Sequence, residues 1–249
     1  MDTKTDRAAW IRGGEAICSK PPTAVSSPWR LVLLGAPGVG KGTQAELLCS
    51  HFGTCHLSTG DIFRSAKGLD PCQRTAALTA ALDFMRKGEL VPDGTVLALV
   101  AERLNCLKCE GGFLLDGFPR TVAQAEALEQ LMRGKGLKLD AVLSYDLPLE
   151  KIVARLSGRR TCPECKAVFH VDARPPKVPG VCDHCGGTLF QREDDRPESI
   201  RVRMAAYERS TMPLFEFYAA RKLLVSVSAE GSPEEIFKRT LSLLAAKPS

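Results

Sequence analysis

At 249 residues the chain is long enough for one large domain with a substantial buried interior, which excludes a small scaffold held together by disulfides. Its 44% apolar and 25% charged residues fit neither a disordered chain nor a fibre, and the net charge of +5 suits polyanionic ligands without marking a nucleic-acid binder. No apolar run approaches the roughly 18 residues of a membrane-spanning helix, and the ten unevenly spaced cysteines without a secretory leader point to reduced thiols and metal binding.

Residues 1–28 carry Pro21, Pro22 and Pro28 without sustained periodicity, and read as a flexible extension before a fold that begins near Trp29. Asp2, Asp6 and Glu15 among the basic residues do not make an organelle transit peptide. A cytoplasmic location is expected, with a mitochondrial or other organelle location through this extension as the alternative.

From there, short apolar runs alternate with helical patterns. Leu31–Leu34, Cys55–Leu57, Phe113–Leu115, Ala141–Leu143 and Leu223–Val227 read as five buried strands. Between them, Lys41–His51, Gly94–Leu107, Thr121–Arg133 and Leu149–Ser157 repeat their apolar residues at three and four, as helices covering a parallel sheet do. Ser232, Pro233, Glu234 and Glu235 supply a cap, a first-turn proline and acids for a last helix. The fold class is α/β. Residues 59–91, helical without a strand, and 155–203, with short β-like runs and four cysteines, look like insertions on the rim of the sheet.

Gly35-Ala36-Pro37-Gly38-Val39-Gly40-Lys41-Gly42-Thr43 follows the first strand and precedes a helix, the context of a phosphate-binding loop. Its glycines let backbone N–H groups turn inward, the helix N-terminus adds partial positive charge, and Lys41 can reach the β and γ phosphates of a triphosphate. Gly42 stands where such loops commonly carry a Mg-binding hydroxyl, which moves to Thr43. Asp116, ending the Phe113–Leu115 strand, is the carboxylate that could orient metal-bound water, or else a turn or capping aspartate.

Cys162-Pro163-Glu164-Cys165 and Cys182-Asp183-His184-Cys185 are two knuckles separated by 16 residues, a spacing that can bring four thiolates around one tetrahedral zinc. Four thiolates leave no open coordination position, so such an ion would fasten a segment too small to bury a core. Two disulfides are the competing reading. Gly186-Gly187 permits the turn whose N–H groups point at thiolates, His184 is expected to stay unliganded, and Cys106 with Cys109 reads as a helix end.

The loop variant with Gly42-Thr43, the segment Leu57-Ser58-Thr59-Gly60-Asp61-Ile62-Phe63-Arg64 and the segment Leu114-Leu115-Asp116-Gly117-Phe118-Pro119-Arg120-Thr121 together resemble adenylate kinase. The resemblance covers about residues 30–245 and continues, in order, through Gly158-Arg159-Arg160, Arg192-Glu193-Asp194-Asp195, Arg201 and Arg203. It implies a P-loop NTPase-type, five-stranded parallel core from 29–58, 92–154 and 204–249. The helical insertion 59–91 would bind the nucleoside monophosphate, and 155–203 would be a mobile, zinc-binding lid of the long type.

The resemblance further implies Mg-dependent, reversible phosphoryl transfer from ATP to AMP giving two ADP. Lys41, Arg120, Arg159, Arg192 and Arg203 would be catalytic. ATP would meet Gly38, Val39, Gly40, Lys41, Gly42, Thr43, Arg159, Val168, Phe169 and Arg155, the last stacking on adenine. AMP would meet Thr59, Arg64, Glu89, Leu90, Val91, Gly117, Phe118, Pro119, Arg120, Gln124, Arg192 and Arg203. Thr59 and the amide of Gln124 favour adenine over a pyrimidine, and Asp194 and Asp195 would latch the arginines. The insertion runs about four residues longer than the family pattern around Gly68–Gln73. A monomer is expected, without nucleic acid or membrane. GTP as donor is the near alternative; a zinc-binding nucleic-acid or regulatory module is the distant one.

Overall fold

Along the first strand the apolar residues face alternately to either side, so this segment can hold a layer on each face. The arrangement is seen in a computed structural model that describes residues 8–12, 17–18, 27–66, 76–87, 89–165 and 167–247. A short helix α1 (Ala8–Arg12) precedes β1 (Trp29–Gly35), α2 (Lys41–Phe52), β2 (Cys55–Ser58), α3 (Thr59–Ala66) and α4 (Ala76–Lys87). There follow α5 (Asp93–Ala101), α6 (Leu104–Leu107), β3 (Gly112–Asp116), α7 (Val122–Arg133), β4 (Ala141–Asp146) and α8 (Leu149–Gly158). The hairpin strands β5 (Arg159–Thr161) and β6 (Val168–His170) lead to α9 (Pro197–Ala206), α10 (Pro213–Ala220), β7 (Leu224–Ser228) and α11 (Pro233–Ala245).

The five main strands form one parallel sheet in the order β2-β3-β1-β4-β7. On one face Val32, Leu34, Phe113, Leu115 and Val142 pack with residues of α3, α4, α5, α6, α7 and α10. On the other, Leu31, Leu33, Leu114, Leu143 and Tyr145 pack with α2, α8, α9 and α11. The period of two along each strand thus builds two cores, as a doubly covered sheet requires. The expected α/β sheet is the one observed. No helix among the described residues is long and apolar enough to cross a membrane.

Two expectations are corrected. The helix expected over Gly94–Leu107 is two helices, because the backbone turns at Glu102 and Arg103: Arg103 N–H bonds the Val100 carbonyl at 3.0 Å, and its side chain turns inward. Nor is all of 1–28 an extension outside the fold, since Ala8–Arg12 is helical and the Trp10 ring is fully buried in the core. An aromatic of that size gains much from burial, and Ala9 and Ile11 beside it pack against the same cluster, a run too short to show a helical period in the sequence. The expectation of a longer insertion around Gly68–Gln73 lies outside the described residues.

The last helix starts as its sequence dictates. Ser232 Oγ accepts from Glu235 N–H at 3.3 Å and the Glu235 carboxylate accepts from Ser232 N–H at 2.7 Å, a reciprocal capping box with Pro233 in the first turn. Replacing Ser232→Ala should therefore cost about 1 kcal/mol, read in a thermal melt as a fall of about 2–4 °C in Tm.

Candidate functional site

Three neighbouring strands end together and present the site at their carboxyl edge, where open parallel sheets bind ligands. Leu33 of β1 and Ser58 of β2 both lie in register with Asp116, the last residue of β3. The glycine-rich loop leaves β1, Thr59 opens α3 directly after β2, and Gly117 follows β3.

In the loop, Gly38 adopts φ +85°, and a Cβ there would fall 2.6 Å from the Leu156 side chain, so no other residue fits. Gly40 is left-handed and caps α2 without a side-chain bond, which leaves the first N–H groups of the helix free to face an anion. Lys41 Nζ donates to the Gly35 and Ala36 carbonyls at 2.6 and 2.9 Å. Burial pushes its ammonium down to about 8, against the pull of Asp116, and Arg120, Arg203 and Arg159 press in the same direction. Arg155 donates to the Val39 and Ala229 carbonyls, both at 2.9 Å, and so ties the loop to the chain after β7.

Asp116 lies 3.3 Å from His56 Nε2. Burial alone would raise its carboxyl, but the bond and charge of His56, then Lys41, hold it below the usual range. His56 was not singled out in the sequence; the alternation along β2, which buries Cys55 and Leu57, is the signal that sets it on the polar side of the strand end.

Arginines converge from the lid side. Asp195, 1% exposed, accepts two bonds from Arg159, at 2.7 Å to Nε and 2.5 Å to Nη2, and a third from Arg203 Nη1 at 3.2 Å. Arg203 also meets the Asp194 carboxylate at 3.1 Å and its carbonyl at 2.8 Å. Arg192 Nε donates to Thr161 Oγ1 at 3.0 Å; burial, and then Arg159 and Arg64, push its guanidinium down to about 9. Asp194 is held low, against its burial, by Arg203, Arg159 and Arg192.

A cleft runs between α3, the end of α4 and the turn after β3. It is lined by Thr59, Gly60, Arg64, Glu89, Leu90, Val91, Gly117, Arg120, Gln124, Asp194 and Arg203, with Phe63, Met85 and Val96 as an apolar wall. Thr59 Oγ1 donates to the Gly117 carbonyl at 3.0 Å, and that carbonyl also accepts from Arg120 Nε at 2.8 Å. Arg64 pairs with Asp61 at 2.7 Å. Phe118 and Pro119, joined by a cis peptide bond, are buried behind it.

Gln124, 2% exposed, is more committed than its sequence role suggests. Its Oε1 accepts from Arg120 N–H at 2.8 Å and its Nε2 donates to Asp93 at 2.6 Å, so one amide hydrogen and one lone pair remain for a base. Asp93, which also accepts from Thr121 Oγ1 at 2.8 Å, escaped sequence reasoning because an aspartate opening α5 reads as a helix-start residue. Gly42 and Thr43 start α2, and Val168 lies on β6. The Phe169 ring is buried with Cys162, Cys182 and Leu189 in the lid's own apolar cluster, leaving its backbone for any nucleotide contact.

The four lid cysteines meet. All their sulfurs lie within 4.8 Å of one another, with Cys162 to Cys185 at 3.4 Å and Cys165 to Cys182 at 3.5 Å. Tetrahedral zinc, at about 2.3 Å from each sulfur, needs sulfurs about 3.8 Å apart. The set is therefore compatible with zinc. The knuckle backbone agrees: N–H groups of His184 and Cys185 point at Cys182 sulfur, and that of Ala167 at Cys165. A Cβ on Gly187 would sit 3.3 Å from Cys162 Sγ, so glycine lets the turn close on the sulfurs. None of the four is in a disulfide, and His184, though inside the second knuckle, is not in the sulfur cluster.

The family model described as adenylate kinase matches residues 33–223. An adenylate kinase of Caldicellulosiruptor saccharolyticus is 50% identical over 217 residues, covering 87% of this chain and 98% of that protein. One from Carboxydothermus hydrogenoformans is 48% identical over 84% of this chain and 95% of its own length. One from Thermodesulfovibrio yellowstonii is 47% identical over 88% and 100%. With the glycine loop, the arginine cluster and the cleft lying at one sheet edge, the chain belongs to the adenylate kinase family.

Proposed function

We propose that the protein transfers the γ-phosphoryl group of ATP to AMP, reversibly, giving two ADP. The observation that carries the reading is the crowding of Lys41, Arg120, Arg159 and Arg203 so close that each arginine depresses the Lys41 ammonium. Cations are gathered at such a cost only where a polyanion is to lie between them.

The donor triphosphate lies along Gly38–Thr43, its phosphates on the backbone N–H groups of the loop and the α2 terminus, with Arg155 against the base beside Val168 and the Phe169 backbone. Lys41 leaves the loop carbonyls for the phosphates. AMP occupies the Thr59–Arg64 cleft, between Glu89, Leu90 and Val91 on one side and Gly117–Arg120 with Gln124 on the other, its phosphate toward Arg120, Arg192 and Arg203. An oxygen of the AMP phosphate attacks the γ-phosphorus, the bond to the β-γ bridging oxygen breaks, and ADP leaves with that oxygen. No protein nucleophile is required; Arg120, Arg159, Arg192 and Arg203 hold the two nucleotides in line and offset the charge that spreads over the moving group.

Mg²⁺ held on the donor phosphates supplies charge neutralisation when bound, and Asp116, ionised beside Lys41, is the residue that would orient its water ligands. Zinc in the four-cysteine set would be structural, since four thiolates fill its coordination and the lid cluster it fastens contains little besides Cys162, Phe169, Cys182 and Leu189. Bidentate pairing with Asp195 keeps Arg159 aimed and joins it to Arg203, so that lid closure delivers both together and excludes water, the competing acceptor.

Purified protein with Mg·ATP should form ADP only when AMP is added, and Lys41→Ala should lower that turnover by about 100-fold or more while leaving bound metal in the lid. ADP formation without AMP, or near-full activity of Lys41→Ala, rejects the assignment. The depressed Lys41 gives a second test. A bound phosphate favours the ammonium form, so at pH 8.5, above the free-state value of about 8, ATP binding should take up protons. Calorimetric binding heats should then vary with the ionisation enthalpy of the buffer, and that dependence should fall by more than half in Lys41→Met, any remainder coming from Arg192, itself held at about 9. For the lid, Cys165→Ser should lower zinc content and Tm together; an unchanged melt of the variant with its metal gone would refute the structural role.

A further inference from the structure

Trp10 is fully buried, although it stands on a helix of five residues far from the rest of the fold in sequence. Its indole N–H donates to the Ser58 carbonyl at 2.9 Å, across 48 positions. Its own carbonyl accepts from Arg103 Nε at 2.6 Å, and Arg103 Nη1 donates to the Leu99 carbonyl at 2.8 Å and meets Glu102 at 3.0 Å. Arg103 is only 6% exposed. A buried guanidinium is costly unless its donors find acceptors; here Nε reaches α1 while Nη1 stays on the end of α5 and Glu102, so the side chain joins α1 to the turn between α5 and α6.

The atom that Trp10 holds lies at a sensitive place. Ser58 ends β2, and the next residue, Thr59, spans to the Gly117 carbonyl across the floor of the acceptor cleft. Ser58 Oγ also accepts from Asp61 N–H at 3.3 Å, and Asp61 holds Arg64. On the other side of the joint, α5 begins with Asp93, the partner of Gln124, and carries Val96 on the cleft wall. Ile62, Phe63, Val96, Leu99 and Val100 share one apolar cluster with Trp10. The indole therefore bears at once on the strand-to-helix joint that presents Thr59 and Arg64 and on the helix that presents Asp93.

We infer that Trp10, clamped by Arg103, is a positioning residue for the acceptor nucleotide: it fixes the Ser58–Thr59 joint and α3 so that the monophosphate site is set before AMP arrives. The inference rests on the proposed acceptor role of the cleft. It assigns α1 to the acceptor half of the site and leaves the donor loop, on the far side of β3 from β2, untouched.

Trp10→Phe keeps an aromatic ring in the cavity and removes the N–H; Trp10→Ala removes both. KM for AMP should rise about three- to tenfold in Trp10→Phe, the range expected for one neutral hydrogen bond, and further in Trp10→Ala, while KM for ATP changes less than about twofold. Arg103→Lys, which keeps charge but loses the fork that reaches two carbonyls, should show the same bias toward AMP. Thermal melts identify folded variants. In Trp29→Phe, Trp10 is the single tryptophan of the chain, and its emission should respond to AMP and not to a non-hydrolysable ATP analogue. An unchanged KM for AMP in folded Trp10→Ala, or equal shifts for both nucleotides, overturns the inference. Absence of AMP-dependent ADP formation by the unaltered protein would instead overturn the function it rests on.

Discussion

Like charges are forced together in this molecule, and much of its architecture can be read as the means of tolerating that. Lys41, Arg120, Arg159, Arg192 and Arg203 come from the first loop, the turn after β3, the lid hairpin and the chain around α9. Burial first, and the neighbouring cations after it, push Lys41 and Arg192 well below their ordinary values. Without compensation such a cluster would drive the lid off the core. Asp195 supplies compensation from inside: buried, it accepts from both Arg159 and Arg203 and lets two cations share one anion. Asp194 does the same at the edge, its carboxyl held low by the arginines it faces, and Asp116 is held low by its bond to His56 and then by Lys41.

Elements with a local cause were legible. The alternation of Leu31, Val32, Leu33 and Leu34 between two faces needs only a period of two, and the five strands follow from it. The glycine loop has a backbone requirement that few sequences meet, and the two C-x-x-C knuckles constrain their own geometry, which is why the four sulfurs were found where spacing put them. Ser232 and Glu235 form the capping box that their three-residue separation implies.

What escaped were contacts whose partners are remote. Nothing near Arg103 announces that its side chain will turn inward, because the acceptors are the carbonyls of Leu99 and of Trp10, the latter 93 positions away. That inward turn also divides the helix expected over Gly94–Leu107. The amide of Gln124 is similarly claimed by Asp93, 31 residues before it. The ring of Phe169 is likewise taken up by the interior of a segment with few apolar residues of its own, which the two residues Val168 and Phe169 do not announce in the sequence.

Two of these remote contacts, those of Arg103 and Gln124, brace the cleft beside α3. The glycine loop is a strand-turn-helix whose conformation is set by its glycines and by Arg155, which ties it to the chain after β7. The cleft is assembled from segments far apart in the chain. Its walls come from α3, the end of α4, α5 and the turn after β3, and its far rim, Asp194 and Arg203, belongs to the lid side. Several of these segments are tied to one another or to the body of the fold: Thr59 to Gly117, Arg120 to Gln124, Gln124 to Asp93, Thr211 Oγ1 to the Arg120 carbonyl at 2.9 Å, Trp10 to Ser58. A monophosphate offers fewer anionic oxygens to hold than a triphosphate does. An acceptor site must therefore draw its discrimination from preorganised walls, since phosphate charge alone gives it less to work with.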